Sequence, residues 1–277
     1  MGKIIWIASY PKSGNTWVRA FLANLFGPQD EPHDLNRLNE VCPTLTSRAL
    51  YDARLGRSTL DVPPQELLKL RQDVQKTICS ATSESVFVKT HSWFGEESGQ
   101  PLIDPDCTAG AIYIVRNPLD VAVSAAHHFG VGVEQMVAHM ADANFRTAPN
   151  EKHVMEYIGA WSQNVASWTW QPHPKIFLIR YEDLHAAPAD VFGSLISFLG
   201  LKPAQERFER ALRYSTFESL AQQERTSGFK ERPANADAFF RHGRPGEGSE
   251  VLPPALIDSI INSHREQMTR FGYLRTG

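Results

Sequence analysis

The chain has 277 residues, of which 42% are hydrophobic, and this is enough for one large domain of mixed helices and strands. The formal net charge of −3 gives no general attraction for polyanions, so nucleic acid is not expected as a partner and any anion site must be built from a few local cations. Three cysteines without metal-like spacing favour reduced thiols, and no apolar run is long enough to span a bilayer, so we expect a cytoplasmic protein that does not bind a membrane.

Four short apolar runs are predicted to form parallel strands, at residues 4–8, 86–88, 111–115 and 176–179. Each run is continuous and not alternating, which is typical of a strand covered on both faces. Helical patterns at residues 17–26, 118–128, 188–199 and 254–271 follow or separate them. This alternation predicts an α/β fold with a central parallel sheet flanked by helices. The stretch between the first two strands and residues 130–150 are predicted to be largely irregular and to shape a substrate mouth.

The first predicted strand runs into the sequence Ser-Tyr-Pro-Lys-Ser-Gly-Asn-Thr-Trp at residues 9–17. The helix that follows presents free backbone amides, Gly14 permits close approach and Lys12 adds a positive charge, which together predict a phosphate cradle. The hydroxyls of Ser13 and Thr16 can bond the same anion, and Trp17 offers a face to a purine. The alternative is an ordinary capped turn. The pattern is not a Walker A loop, because Lys12 precedes Gly14, and an ATP-dependent kinase is therefore disfavoured.

A second anion-binding pair follows the third predicted strand. Arg116 stands where that strand ends, and Ser124 lies about two turns into the next helix, so both can face one crevice at the carboxyl ends of the strands. A guanidinium fork and a hydroxyl suit a phosphate dianion. Taken singly, Arg116 would be explained as well by an ion pair with Asp120, and Ser124 by helix packing.

These two segments resemble the donor-binding motifs of the cytosolic-type sulfotransferases, which use 3′-phosphoadenosine 5′-phosphosulfate (PAPS) and release 3′-phosphoadenosine 5′-phosphate (PAP). The first segment is close to the family's Y-P-K-[SA]-G-[TN]-[TS]-W, and residues 114–124 match its 3′-phosphate motif. The resemblance implies a P-loop-NTPase-like domain over residues 1–277. It assigns the 5′-phosphosulfate to Lys12, Ser13, Gly14, Asn15, Thr16 and Trp17, and the 3′-phosphate to Arg116 and Ser124.

Three further segments resemble the same family. By that resemblance Tyr181, after the fourth strand, lies near the adenine. Near the purine the resemblance places Ser215, Thr216 and Phe217, and over the 3′-phosphate it places Arg241, His242 and Gly243. The family usually has Lys where this chain has His242, and a neutral imidazole offers one hydrogen-bond donor where an ammonium group offers three. This corner is therefore expected to hold the phosphate more weakly or in a pH-dependent way.

The sequence Lys-Thr-His at residues 89–91 follows the second predicted strand and resembles the family's catalytic segment. The resemblance implies that His91 is the general base for in-line transfer, since a neutral imidazole can take a proton from an attacking hydroxyl. Lys12 is then expected to neutralise the charge on the leaving phosphate, with Lys89 in support. No metal is expected, because fixed cations can serve this purpose and no Cys/His ligand spacing is present.

The expected activity is therefore sulfuryl transfer from PAPS to a hydroxyl or amine of a small molecule. A histidine base favours phenols, alcohols or amines, and similarity to bacterial tailoring enzymes adds peptide and other natural products. The alternatives are a nucleotide-dependent phosphotransferase, which would need ATP and a magnesium-binding acidic residue, and a non-catalytic nucleotide-binding protein. The family's dimerisation segment is not recognisable near the C-terminus, so a homodimer stays open.

Overall fold

A central parallel sheet organises the molecule. The computed structural model describes residues 2–28, 30–170 and 175–274. Its strands are β1 (Ile4–Ser9), β2 (Val86–Thr90), β3 (Glu96–Glu97), β4 (Gln100–Pro101), β5 (Thr108–Val115) and β6 (Ile176–Arg180). The central sheet has the order β2-β1-β5-β6 with every neighbouring pair parallel, and β3 and β4 form a separate antiparallel ribbon. All four predicted strands are confirmed, each lying within a slightly longer observed strand.

Helices cover both faces of this sheet. They are α1 (Asn15–Phe26), α2 (Leu38–Val41), α3 (Arg48–Leu55), α4 (Pro64–Ser80), α5 (Pro118–Phe129), α6 (Val133–Ala141), α7 (Trp161–Thr169), α8 (Tyr181–Ala186), α9 (Pro188–Phe198), α10 (Gln205–Tyr214), α11 (Phe217–Ser227), α12 (Glu247–Val251) and α13 (Pro254–Arg270). Short 3₁₀ turns lie at Leu35–Arg37 and Pro105–Cys107. The predicted α/β fold is confirmed.

Alternate residues of the strands enter two different apolar cores. Trp6 and Tyr113 belong to a core shared with α4, α5, α6, α7 and α13. Ile7 and Ile112 point the other way, into a core shared with α1, α9 and α10. Because successive strand side chains alternate between faces, a sheet with helices on both sides must be apolar at every position. This explains why the strand sequences are continuous apolar runs.

Two stretches predicted to be irregular contain helices. The region between β1 and β2 holds the 17-residue α4, and residues 130–150 hold the nine-residue α6. The buried face of α4 includes Arg71 and Gln75 beside its apolar residues. Both polar side chains donate hydrogen bonds to the Leu102 carbonyl, at 2.9 and 3.2 Å respectively. The helical stripe is real, but it is not purely hydrophobic, which is why the sequence pattern was weak.

The carboxyl ends of the four central strands lie along one edge of the sheet. β1 pairs with β2 as far as Ala8 and Thr90, and β5 pairs with β6 as far as Val115 and Arg180. Residues just after these strands therefore meet in one crevice, as is general for parallel α/β sheets. In the described part of the chain no helix is both long and apolar enough to cross a bilayer. The assignment of residues 1–277 to one domain stays a prediction.

Candidate active site

A cavity of about 1210 Å³ lies along this edge of the sheet. It is bordered by the turns after the four strands, by residues 139–158 and by the segment between α11 and α12, called here the 228–246 loop. Most of the predicted site residues line it: Lys12, Gly14, Asn15, Thr16, Trp17, Lys89, His91, Arg116, Ser124, Tyr181, Phe217, Arg241, His242 and Gly243. Ser13, Ser215 and Thr216 are not among its lining residues.

The turn after β1 is shaped to present backbone amides. Lys12 has φ 66° and Gly14 has φ 106°, so both lie in the left-handed region. A Cβ atom at Gly14 would stand 2.8 Å from Cδ2 of Tyr181, so only glycine fits there. Gly14 is also the N-cap of α1 and has no side chain to bond the first amides of the helix. No side chain therefore competes with an anion for these amides, and the phosphate cradle stays a prediction.

Asn15 and Ser13, in the same turn, are directed into the protein. Asn15 Nδ2 donates to the Ile7 carbonyl at 2.9 Å and to Ser9 Oγ at 3.3 Å, which ties the start of α1 to β1. Ser13 is fully buried, and its hydroxyl has no hydrogen-bond partner among the described residues. Asn15 therefore holds the shape of the turn while it lines the cavity.

Lys12 lies in a concentration of positive charge. Its Nζ stands 3.7 Å from the centre of the Phe239 ring, in a cation–π contact with the 228–246 loop. Loss of solvent around the ammonium group, together with repulsion by Arg116, Lys89 and Arg241, lowers the pKa of Lys12 to about 7. A site that destabilises its own lysine cation is suited to receiving an anion, because the anion relieves the repulsion.

Arg116 reaches across the end of β5 to both sides of the cavity. Its Nη1 donates to the Lys12 carbonyl at 3.1 Å, and its Nη2 donates to the Arg244 carbonyl at 3.2 Å. Its guanidinium carbon stands 4.3 Å from the centre of the Tyr181 ring. Nε of Arg116 is buried and has no partner among the described residues. The alternative ion pair with Asp120 also exists, but at 3.8 Å it is longer than a hydrogen bond.

Asp120 fastens the end of the 228–246 loop instead. This carboxylate is 1% exposed and accepts hydrogen bonds from the backbone amides of Gly246 at 2.9 Å and Gly248 at 2.7 Å. Glu224 acts similarly at the middle of the loop, where it accepts from the amides of Phe239 and Phe240. Two buried carboxylates therefore hold the loop over the cavity.

The predicted 3′-phosphate corner is formed by this loop. Tyr181 donates its hydroxyl proton to the Gly243 carbonyl at 2.8 Å, and Gly243 has φ 63° with the Phe217 ring directly against it. Arg241 donates to Glu247 at 3.0 Å, while Nε2 of His242 stands 3.6 Å from the same carboxylate. Arg241 and His242, which the sequence places over the 3′-phosphate, thus share one acidic partner, Glu247.

The hydroxyls of Ser215 and Thr216 serve neighbouring helices. Ser215 is buried and donates to the Ala211 carbonyl at 2.8 Å, within the end of α10. Thr216 is the N-cap of α11, and its side chain accepts from the Ser219 amide at 3.2 Å. Phe217, the next residue, does line the cavity. Contacts of Ser215 and Thr216 with a purine stay a prediction.

His91 is held so that one ring nitrogen, Nε2, has no hydrogen-bond partner in the described part of the chain. Its Nδ1 lies 2.8 Å from the Ser9 carbonyl, which can only accept, so Nδ1 carries the proton and Nε2 keeps its lone pair. Burial lowers the pKa of His91 to about 4, against an opposing effect of Glu156 and with a further lowering by Lys89. The backbone of His91 donates to Glu156 at 2.5 Å and accepts from Asn164 at 2.9 Å.

Lys89, the other residue of the predicted catalytic segment, is partnered by an acidic residue that no motif indicated. Its Nζ lies 3.2 Å from Oε2 of Glu231, and the buried Arg19 donates to both oxygens of the same carboxylate at 2.8 and 3.1 Å. Burial alone would raise the pKa of Glu231, but Lys89 and Arg19 outweigh it and hold that pKa well below its usual range. Glu231 and Glu156 are the site residues that sequence reasoning missed.

No group of three His, Cys, Asp or Glu side chains in residues 2–28, 30–170 and 175–274 is arranged to hold a metal ion. That the reaction needs no metal stays a prediction.

Curated relatives cover most of the chain. Sulfotransferase 1E1 of Cavia porcellus is 27% identical over 278 residues, covering 95% of this chain and 82% of the relative. Flavonol 3-sulfotransferase of Flaveria bidentis is 24% identical over 275 residues, covering 92% of this chain and 78% of the relative.

Solved structures of a sulfotransferase and of a retinol dehydratase have the same fold. A complex of retinol dehydratase with retinol and PAP matches with a TM-score of 0.67 and 19% identity, covering 99% of this chain and 83% of that one. Mouse sulfotransferase SULT7A1 complexed with PAP matches with a TM-score of 0.64 and 17% identity, covering 96% and 84%. These likenesses establish the predicted P-loop-NTPase-like fold. The family model of the sulfotransferase domain matches residues 3–272, so the chain belongs to the sulfotransferase family, which confirms the family and the enzyme class that its motifs predicted.

Proposed function

We propose that this sulfotransferase moves the sulfuryl group of PAPS to a hydroxyl or amine of a small molecule, with His91 as the general base. One observation carries the proposal: His91, whose Nδ1 bonds the Ser9 carbonyl so that Nε2 keeps its lone pair, lines the same cavity as Lys12 and Lys89. The solved complexes of two proteins with this fold contain PAP, the product that PAPS would leave. PAPS is therefore the donor best supported for this cavity.

The charges of the cavity favour a nucleotide with phosphates at both ends. Lys12 and the amides after Gly14 would receive the 5′-phosphosulfate. Arg116, whose Nε has no partner among the described residues, and Ser124 would receive the 3′-phosphate. Trp17 and Tyr181, which line the same cavity, meet edge to face at 6.1 Å. Aromatic rings at this position would pack against the nucleoside.

The chemistry follows from these positions. The acceptor oxygen gives its proton to Nε2 of His91 and bonds to sulfur, while the bond from sulfur to the phosphate oxygen breaks and PAP departs with the electron pair. Negative charge grows on the departing phosphate, and Lys12 and Lys89 would stabilise it there. Because the pKa of His91 is lowered to about 4, its imidazole is neutral at neutral pH and Nε2 holds the lone pair that receives the proton.

The cavity has room for an acceptor beside the donor. Its volume of about 1210 Å³ exceeds the roughly 300–1,000 Å³ typical of a single small-molecule site. Several apolar side chains line the part contributed by the end of α5, the turn after it and residues 145–158: Phe129, Val131, Phe145, Val154 and Ile158. An apolar wall beside a histidine base suits a phenol or other hydrophobic alcohol, and one relative is named for flavonol sulfation. Amines and peptide natural products remain within the proposed class.

We also propose that the enzyme acts in the cytoplasm as a single domain spanning residues 1–277. A relative from Arabidopsis thaliana that is 25% identical over 280 residues is named a cytosolic sulfotransferase. The three cysteines, all buried, are free thiols, which suits a reducing compartment.

The proposal is tested by incubating the protein with labelled PAPS and a panel of phenolic, aliphatic, amine and peptide acceptors. Labelled product should form without added ATP or magnesium. His91→Ala should bind PAP as the unaltered protein does and lose turnover by roughly 10²- to 10⁴-fold. Normal turnover by His91→Ala would refute the base assignment. Transfer from ATP that depends on magnesium would favour the phosphotransferase alternative.

A further inference from the structure

A buried carboxylate accepts a hydrogen bond from the backbone of the proposed base, and it lies outside the motifs identified in the sequence. Glu156 belongs to the chain between α6 and α7 and is 8% exposed. Its Oε1 accepts from the backbone amide of His91 at 2.5 Å and from Oγ1 of Thr90 at 3.3 Å. The Glu156 main chain is itself fixed by Thr147. The Thr147 amide donates to the Glu156 carbonyl at 3.0 Å, and the Glu156 amide donates to the Thr147 hydroxyl at 3.1 Å.

This carboxylate forms no ion pair with another described residue. Burial would raise the pKa of Glu156, but His91, its amide, Arg71 and Lys89 together hold that pKa below its usual range. Within the described residues, neither oxygen lies within 4.0 Å of a basic side-chain nitrogen. Oε2 has no hydrogen-bond partner there, and the residue lines the cavity. Its negative charge is therefore not cancelled by a bonded cation.

We propose that Glu156 is a positioning residue for the base: it fixes the His91 peptide and stabilises the imidazolium that forms during transfer. The inference rests on the proposed function, in which the acceptor proton moves to Nε2 of His91 while the acceptor oxygen bonds to sulfur. At that moment the ring changes from neutral to positive, so an adjacent fixed negative charge becomes more favourable in the transition state than in the ground state.

The other charged groups facing His91 cannot serve in this way. Lys89 lowers the pKa of His91 by charge repulsion. His128, which also lines the cavity, is repelled by a charged His91 in the same way, and this repulsion lowers the pKa of His128. Glu231 acts in the helpful direction, but its two oxygens are bonded to Arg19 and Lys89. Arg71 and Lys89 act on Glu156, as do the ionisable Tyr51 and His153 nearby. Among these groups, Glu156 is the carboxylate that is both adjacent to His91 and unpaired.

The test uses Glu156→Gln, which removes the charge but keeps an oxygen able to accept from the His91 amide. Because the base becomes weaker, kcat should fall roughly tenfold to a hundredfold, while PAP affinity and acceptor KM change less than about twofold. The fall should be largest for aliphatic alcohols and smallest for acidic phenols, whose proton is easier to remove. The acid limb of the kcat/KM profile should move to lower pH. Glu156→Asp, which restores the charge, should recover part of the loss.

The matched control is Asp104→Asn. Asp104 is likewise buried and accepts a backbone amide bond, from Asp106 at 2.9 Å, but it does not line the cavity. This variant should keep the kcat and the acceptor dependence of the unaltered enzyme.

The outcomes separate this inference from the proposed function. If His91→Ala keeps normal turnover, the proposed base is wrong and this inference falls with it. If His91→Ala is inactive but Glu156→Gln shows an unaltered kcat and acceptor dependence, only the role of Glu156 is overturned. Loss of PAP binding or of cooperative unfolding in Glu156→Gln would overturn it as well, because the carboxylate would then serve the fold. A loss of rate that is equal for alcohols and acidic phenols would also overturn the role of Glu156, because the strength of the base would then not be what changed.

Discussion

Donor binding is expected to take up a proton at Lys12. In the free enzyme, burial and the charges of Arg116, Lys89 and Arg241 lower the pKa of this ammonium group from its ordinary 10.5 to about 7. The phosphates of PAP or PAPS bring several negative charges to the same place. An opposite charge at close range favours the protonated amine, so the pKa of Lys12 should return toward its ordinary value in the complex.

The size of the effect follows from the titration curve. At pH 8, one unit above the free-enzyme pKa of about 7, roughly a tenth of the Lys12 side chains carry the proton, so binding should take up about 0.9 proton. At pH 6 the uptake should be only about 0.1. Because the complex holds more protons than the free enzyme, affinity should fall as pH rises above 7, by up to about tenfold per unit, or about 1.4 kcal/mol.

Calorimetry measures this uptake directly. PAP is titrated into the enzyme at pH 8 in two buffers with different heats of ionisation, and the difference in apparent enthalpy gives the number of protons. Lys12→Arg is the matched control, since a guanidinium group stays charged in both states and should take up about 0.9 proton fewer. Equal uptake by the two proteins would refute the reasoning, because Lys12 would then be charged before the donor arrives.

Two further predictions concern the frame of the site and the behaviour of the fold in acid. Asp120→Asn leaves the amide of Gly246 or of Gly248 without its carboxylate partner. Denaturant titration should therefore show a free energy of unfolding lower by about 1.5–3 kcal/mol, and PAP affinity should fall severalfold. Unchanged values for both would contradict the role given to Asp120. Burial lowers the pKa of His264 from 6.5 to about 4. As pH falls from 6.5 toward 4, the imidazole therefore takes up a proton in the unfolded chain but not in the folded one, and the free energy of unfolding decreases. His264→Gln should therefore remove up to about 2 kcal/mol of the destabilisation between pH 7 and pH 5, as measured by denaturant titration; the same pH dependence in both proteins would refute it.

The parts of the fold that could be predicted from the sequence are those where local pattern and tertiary environment agree. The four central strands are apolar at every position because helices cover both faces, so each appears as a continuous run. Helix α5 is announced by Asn117, whose side chain accepts from the Leu119 amide as an N-cap, and by Pro118 in its first turn. Helix α4 also has a proline, Pro64, in its first turn, but its N-cap is Pro63, whose side chain makes no capping hydrogen bond. Arg71 and Gln75 on its buried face interrupt the apolar stripe, so the helical pattern was weak.

The site divides in the same way. Lys12, His91 and Arg116 follow strand ends directly, and parallel topology alone brings such residues to one edge. Glu156 and Glu231 could not be predicted from strand ends, because each lies in a segment without regular structure, far along the chain from the residue it contacts. Their distances in sequence from His91 and Lys89 are 65 and 142 residues. Only the folded chain shows that these carboxylates are beside the catalytic segment.

The most direct test of the central claim is titration of the folded protein with PAP in the presence of a metal chelator. The account predicts saturable binding at one site per chain, in the micromolar range or tighter, and a loss of at least about tenfold in affinity for Arg116→Ala, which removes a charged partner of the 3′-phosphate. A folded protein that does not bind PAP, or that binds it equally well without the Arg116 guanidinium, would contradict the assignment of this cavity to the donor.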